Sequence, residues 1–82
     1  MKTIKVLING AKGKMGAISA ETIAQHPNFT LSACCDKEDN LSETILKSQP
    51  DVVLDFTTPD SVLQNCLTII EHRICPVIGT TG

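Results

Sequence analysis

An α/β fold built on a parallel sheet is predicted by three features of this sequence. Short runs rich in β-branched residues alternate with segments of helical periodicity, in the order strand, helix, strand, short helix, strand, helix, strand. Glycine or proline stands at most of the junctions. The segments between successive strands are long enough for right-handed crossovers, so each strand is expected to run parallel to its neighbour. Strand one carries the first glycine turn and is flanked on both sides in folds of this kind, which gives an expected spatial order of 2-1-3-4 with flanking helices.

The first strand is Ile4-Lys5-Val6-Leu7-Ile8-Asn9, which stops at Gly10. From Lys14 to Gln25 the residues Met15, Ile18, Thr22 and Ile23 recur at helical spacing with small alanines between them. This predicts a helix with Met15 in the core, closed by His26-Pro27-Asn28. Phe29 to Cys35 reads as a second strand, and its unbroken apolar middle predicts burial on both faces. Leu41 to Lys47 has room for about two helical turns before Pro50. Asp51 to Phe56 is the clearest strand. Thr58 as N-cap and Pro59 as first helical residue open a helix to His72, with Val62, Leu63, Cys66, Leu67, Ile69 and Ile70 as its apolar face. The last strand, Pro76-Val77-Ile78, meets Gly79-Thr80-Thr81-Gly82. Strands two and three are joined by only about fifteen residues, so a strand usual in larger versions of this architecture is expected to be missing.

The 82 residues fit one small domain or part of one, with a thin core. A hydrophobic fraction of 41%, a charged fraction of 20% and a net charge of −2 belong to an ordinary globular chain. Lysine and arginine are scattered, with no basic stripe to track a phosphate backbone, so nucleic acid is not expected as a partner. The apolar run Ile4 to Ile8 is too short for a signal peptide or membrane span, which predicts a cytoplasmic protein without membrane attachment. Four cysteines without C-x-x-C or Cys/His spacing point to small buried hydrophobes in a reducing compartment rather than metal ligands, with a reactive thiol as the other reading. His26 and His72 fall near helix C-termini and read as surface residues.

The chemistry is expected where strand one turns into helix one, at Gly10-Ala11-Lys12-Gly13-Lys14-Met15-Gly16. Gly10 permits a tight turn, Gly13 lets the backbone approach a pyrophosphate, and Gly16 lets the helix pack closely, the division of labour of a Rossmann-type dinucleotide site. The spacing G-x-x-G-x-x-G departs from the commoner G-x-G-x-x-G. Amides at the helix N-terminus would hold the phosphates, with Lys12 and Lys14 adding positive charge. Asp36, at the end of strand two and twenty residues beyond Gly16, is placed to accept the ribose hydroxyls of NADH. Lys37 beside it is either a partner for the 2′-phosphate of NADPH or a solvated loop lysine. Phe56-Thr57-Thr58 and Gly79-Thr80-Thr81 fall on the same carboxyl edge and complete the expected cofactor site. For Thr58 a helix cap is the stronger reading, and Asp55 reads as a structural hydrogen-bonding residue.

The glycine segment, Asp51-Val52-Val53-Leu54-Asp55-Phe56-Thr57-Thr58-Pro59 and Pro76-Val77-Ile78-Gly79-Thr80-Thr81-Gly82 together resemble the 4-hydroxy-tetrahydrodipicolinate (dihydrodipicolinate) reductase family along the whole chain. The resemblance implies hydride transfer from NADH or NADPH to a cyclic dicarboxylate in lysine and diaminopimelate biosynthesis. It carries the phosphate loop onto Gly10 to Met15, the ribose acid onto Asp36 and its basic neighbour onto Lys37. The Phe56 loop then borders the cofactor, and Gly79, Thr80 and Thr81 hold the nicotinamide end. It also implies that residues 1–82 are an incomplete N-terminal cofactor domain, without the His-His, lysine and Ser-Gly-Thr segments of the substrate domain. The segment alone is therefore expected to be inactive, with no catalytic residue of its own, and the family's homotetramer forms largely through the other domain. Two other readings stay open: a non-catalytic nucleotide-binding domain, and the cofactor half of another Rossmann dehydrogenase such as an aspartate-semialdehyde dehydrogenase relative.

Overall fold

The computed structural model describes residues 3–79. In chain order these form β1 (Ile4–Asn9), α1 (Lys14–Gln25), β2 (Phe29–Cys35), α2 (Leu41–Ser48), β3 (Val52–Asp55), α3 (Pro59–Glu71) and β4 (Cys75–Ile78). All pairings in the four-stranded sheet are parallel, in the spatial order β2-β1-β3-β4. This is the Rossmann-like arrangement expected from the strand and helix order. No helix among the described residues is long and apolar enough to cross a membrane.

The three crossovers place the helices on opposite faces. Helix α1 packs over β1 and β2, whereas α2 and α3 pack against each other and the other face. Leu7, Cys35 and Val53 from the sheet meet Ile45 from α2 and Ile69 from α3, with Ala33, Leu41 and Ile74 around them. Val6 and Ile8 alternate with Leu7 and are buried on the α1 side.

Local chemistry sets the helix ends. Asn40 caps α2 by accepting the Glu43 amide at 3.0 Å. Arg73, with φ of 61°, terminates α3: its amide reaches the Ile70 carbonyl and the Ile74 amide reaches that of Ile69. This is a Schellman end, and the Ile74 side chain folds back onto the core beside Ile69.

Several expectations are corrected. Met15 is 57% exposed and lies outside the core, because α1 buries little more than Gly16 on the sheet side. Strand β2 is an edge strand and is not buried on both faces. Its register slips by one residue at Ser32, whose hydroxyl donates to the Val6 carbonyl at 3.2 Å, leaving Cys35 as its buried residue. Of the expected apolar face of α3, Val62, Cys66 and Ile69 turn inward as expected, whereas Leu63, Leu67 and Ile70 are exposed. Of the four free cysteines only Cys35 is buried; Cys34 and Cys75 are exposed. His72 is half-buried and shares a 2.8 Å hydrogen bond with the Ser42 hydroxyl between α3 and α2, whereas His26 is exposed as expected.

Candidate functional site

The carboxyl ends of all four strands point to one edge, and the glycine segment crosses it. Gly10 leaves β1 with φ of +88°, a conformation open to glycine, and a Cβ there would lie 2.9 Å from the Phe56 carbonyl carbon. The Gly10 and Ala11 amides both donate to the Cys35 carbonyl, at 2.8 and 3.2 Å, so the loop is stitched to the end of β2. A Cβ on Gly16 would stand 2.1 Å from the Gly10 carbonyl oxygen, so that position admits nothing larger than glycine without movement.

Gly13 is different. Its φ of −72° is open to any residue, and an added Cβ would meet only the Gly10 oxygen at an ordinary 3.5 Å. Nothing inside the described fold requires glycine there. It stands at the N-cap of α1 without a side-chain cap, so the first-turn amides keep their donors for an outside acceptor. It also lies at the junction of two clefts. One, of about 400 Å³, extends toward Asp36, Lys37 and Asp39; the other, of about 310 Å³, extends along Lys14 and Met15 to Gly79. Phe56, Thr57 and Thr58 line both, so the two halves make one continuous groove with Gly13 at its middle.

The floor is a buried polar network. Asp55 is fully buried and accepts the Thr57 amide at 2.9 Å, the Thr57 hydroxyl and the Asn9 side-chain amide at 3.3 Å. Asn65 of α3 donates to the Thr57 hydroxyl at 3.1 Å. No buried side-chain oxygen or nitrogen among the described residues lacks a partner.

The sequence profile described as "Dihydrodipicolinate reductase, N-terminus" matches residues 4–82. The chain belongs to the dihydrodipicolinate reductase N-terminal family. It is 45% identical over 78 residues to a 4-hydroxy-tetrahydrodipicolinate reductase of Legionella pneumophila, covering 95% of this chain and 32% of that protein. A Coxiella burnetii protein of the same name is 46% identical over 79 residues, covering 96% of this chain and 33% of its own. The chain thus spans about a third of the length of the curated relatives it matches. A solved dihydrodipicolinate reductase with bound dipicolinate, from Paenisporosarcina sp. TG-14, superposes with a TM-score of 0.89 at 33% identity. That superposition covers 98% of this chain and 38% of the other.

Within this reductase-family fold, most of the expected residues meet along the groove. Asp36, half-buried, lines it, but its carboxylate is already engaged, accepting the Lys12 amide at 2.7 Å and the Lys37 amide at 2.8 Å. Those two amides hold the carboxyl below its ordinary range, that of Lys37 most strongly. Lys12 does not reach toward the helix N-terminus: its ammonium pairs with Glu38 at 3.0 and 3.1 Å, which raises its pKa. Thr58 occupies the N-cap position, yet its hydroxyl caps no backbone amide and lies 3.4 Å from the Ser61 hydroxyl. Phe56 lies against Gly79, where an added Cβ would stand 2.4 Å from the ring. Thr80 and Thr81 lie outside the described residues.

Desolvation by neighbouring atoms pushes the thiols of surface-exposed Cys34 and buried Cys35 upward, away from thiolate character. The family-based reading of the sequence missed Asn9, Asn65, Glu38 and Asp39. Asn9 carried a signal, being a polar residue closing an apolar strand directly before the glycine turn. Asn65 carried none, because its partner Thr57 lies eight residues away across a loop.

Proposed function

We propose that residues 1–82 form the cofactor-binding domain of a 4-hydroxy-tetrahydrodipicolinate reductase and hold NADH or NADPH along the groove. The reading is supported above all by Gly13, a glycine that neither backbone conformation nor internal packing explains and that opens the middle of the groove. A diphosphate approaching the uncapped start of α1 explains it, since any side chain there would stand between ligand and amides. The adenosine ribose would then lie at Asp36 and Lys37, and the nicotinamide toward Phe56, Gly79, Thr80 and Thr81. Lys14, Met15 and Gly16 would contribute first-turn amides, with Ala11 and Lys12 flanking.

The bound dinucleotide supplies the hydride for reduction of a small cyclic dicarboxylate. The chain's own residues bind and orient it: α1 by its amides, Asp36 by accepting hydroxyls, and the Asp55 network by fixing the Thr57-Thr58 loop. We place the substrate site, the proton donor and the contacts of a homotetramer in polypeptide outside this segment, so residues 1–82 alone would not reduce substrate. The setting would be cytoplasmic lysine and diaminopimelate biosynthesis, with neither nucleic acid nor membrane as partner.

Calorimetric titration of the intact protein with NADH tests this. Gly13→Val is expected to weaken NADH at least about tenfold while costing the fold only about 1 kcal/mol, the preference of an N-cap for glycine over an apolar residue, since a Cβ there meets no protein atom closer than 3.5 Å. Unchanged affinity in a folded Gly13→Val protein overturns the reading.

A further inference from the structure

We infer that the Lys12–Glu38 pair sets how the groove discriminates between a dinucleotide with a 2′-phosphate and one without, Lys12 being the attracting cation and Glu38 the anion competing for it. The inference rests on the proposed dinucleotide site and deepens it.

Lys12 belongs by sequence to the glycine segment, where a diphosphate contact is the obvious role. Its geometry points elsewhere. The Lys12 amide lies 2.7 Å from the Asp36 carboxylate, so the residue is anchored at the ribose end of the groove, and its side chain crosses to the loop after β2. Both ends of that ion pair are open to solvent, at 72% and 58% exposure. An exposed pair is weakly held and its partners exchange readily.

Three carboxylates crowd this corner, and they are not equivalent. Asp36 accepts two backbone amides, and Asp39 accepts the Asp36 amide at 2.8 Å, so both shape the turn. Among the described residues the Glu38 carboxylate hydrogen-bonds only with the Lys12 ammonium. Its charge can be removed without dismantling the backbone. A 2′-phosphate brings nearly two negative charges into this acidic corner. Lys37 alone cannot balance them, whereas Lys12, released from Glu38, would exchange a singly charged partner for a more highly charged one. An unphosphorylated ribose offers Lys12 no such exchange, and the pair stays closed.

The test is calorimetric titration of the intact protein, its Glu38→Gln variant and its Lys12→Gln variant with NADH and NADPH. Glu38→Gln is expected to tighten NADPH about three- to tenfold, with NADH moving less than about twofold, and Lys12→Gln to weaken NADPH at least about threefold more than it weakens NADH. In the wild-type protein the NADPH-to-NADH affinity ratio is expected to fall as salt rises, a readout independent of either substitution. An unchanged ratio in Glu38→Gln overturns the inference. So does equal weakening of both dinucleotides in Lys12→Gln, which would return Lys12 to the diphosphate. If the wild-type protein binds neither dinucleotide, the proposed function itself fails and the inference goes with it; binding of NADH with an insensitive ratio removes the inference alone.

Discussion

The Asp36 carboxylate accepts the backbone amide of Lys12 across 2.7 Å, joining the end of β2 to the glycine segment that follows β1. The acid proposed for the ribose therefore also holds the glycine loop proposed to carry the diphosphate. Each carboxylate oxygen takes one backbone amide and retains lone pairs for a sugar hydroxyl, so the two tasks are compatible.

Asp36→Ala is accordingly expected to weaken NADH by more than a ribose contact alone would. Loss of charge-assisted hydrogen bonds costs on the order of 1.5–3 kcal/mol, and a loosened loop adds to it. The same variant should speed exchange of the Lys12 and Lys37 amides in the ligand-free protein. Unchanged NADH affinity would remove Asp36 from the site. Lost affinity with unchanged amide exchange would leave it a ribose contact only.

Acid should open the same latch. The carboxyl lies below its ordinary value of 3.8 in the folded chain, so its contribution is complete above 3.8 and is lost as pH falls through the lower folded value. Protection of the Lys12 and Lys37 amides should therefore hold across the neutral range and decline only in strong acid, below 3.8. A decline near neutral pH, followed by NMR, would mean that some other group closes the loop.

The three glycines around the turn should separate by cause. Gly16→Ala forces a methyl to within 2.1 Å of the Gly10 oxygen and is expected to cost about 2 kcal/mol or more. Gly10→Ala adds both a contact with Phe56 and the strain of φ at +88°, for about 1–3 kcal/mol. Gly13→Ala meets no protein atom closer than 3.5 Å and should cost no more than about 1 kcal/mol, the ordinary preference of an N-cap for glycine over alanine. Denaturant unfolding of the three variants checks the order, and a large loss at Gly13 would assign that glycine to the fold rather than to a ligand.

The contrast also marks what could be read from the chain beforehand. The run Ile4 to Asn9, the Pro59 helix start and the order of elements carried the topology, because strand and helix periods and proline stops are local properties. Met15 misled because helical spacing identifies an apolar stripe without saying whether anything covers it, and only α1 lies on its side of the sheet. The slip at Ser32 was equally invisible, since register exists only between two strands. Lys12 and Glu38 are twenty-six residues apart and meet through the fold alone.

Arg73 gives a test of stability unconnected with the site. It terminates α3 at φ 61°, where a Cβ is strained and glycine is the usual occupant. Arg73→Gly keeps the backbone bonds to Ile69 and Ile70 and is expected to gain about 0.5–1 kcal/mol, the released strain exceeding the added flexibility of the unfolded chain. A lower melting temperature for the variant would mean that the arginine side chain contributes more than its backbone costs.

The outer side of α3 presents Leu63, Leu67 and Ile70 at helical spacing, and the adjoining edge strand β4 exposes Val77 and Ile78. Among the described residues this apolar stripe is uncovered and the adjoining strand edge is unpaired, an arrangement that favours association because a second chain satisfies both the apolar area and the free backbone groups. Residues 1–82 expressed alone are therefore expected to self-associate as concentration rises, seen as growth in sedimentation coefficient. Leu63→Lys combined with Ile70→Glu should suppress this without unfolding the domain, since both side chains are more than half exposed and Ile69 carries the inward packing. If the double variant associates as strongly as wild type, the contact runs through the free edge of β4 rather than through the helix, and Val77→Lys becomes the substitution that should abolish it.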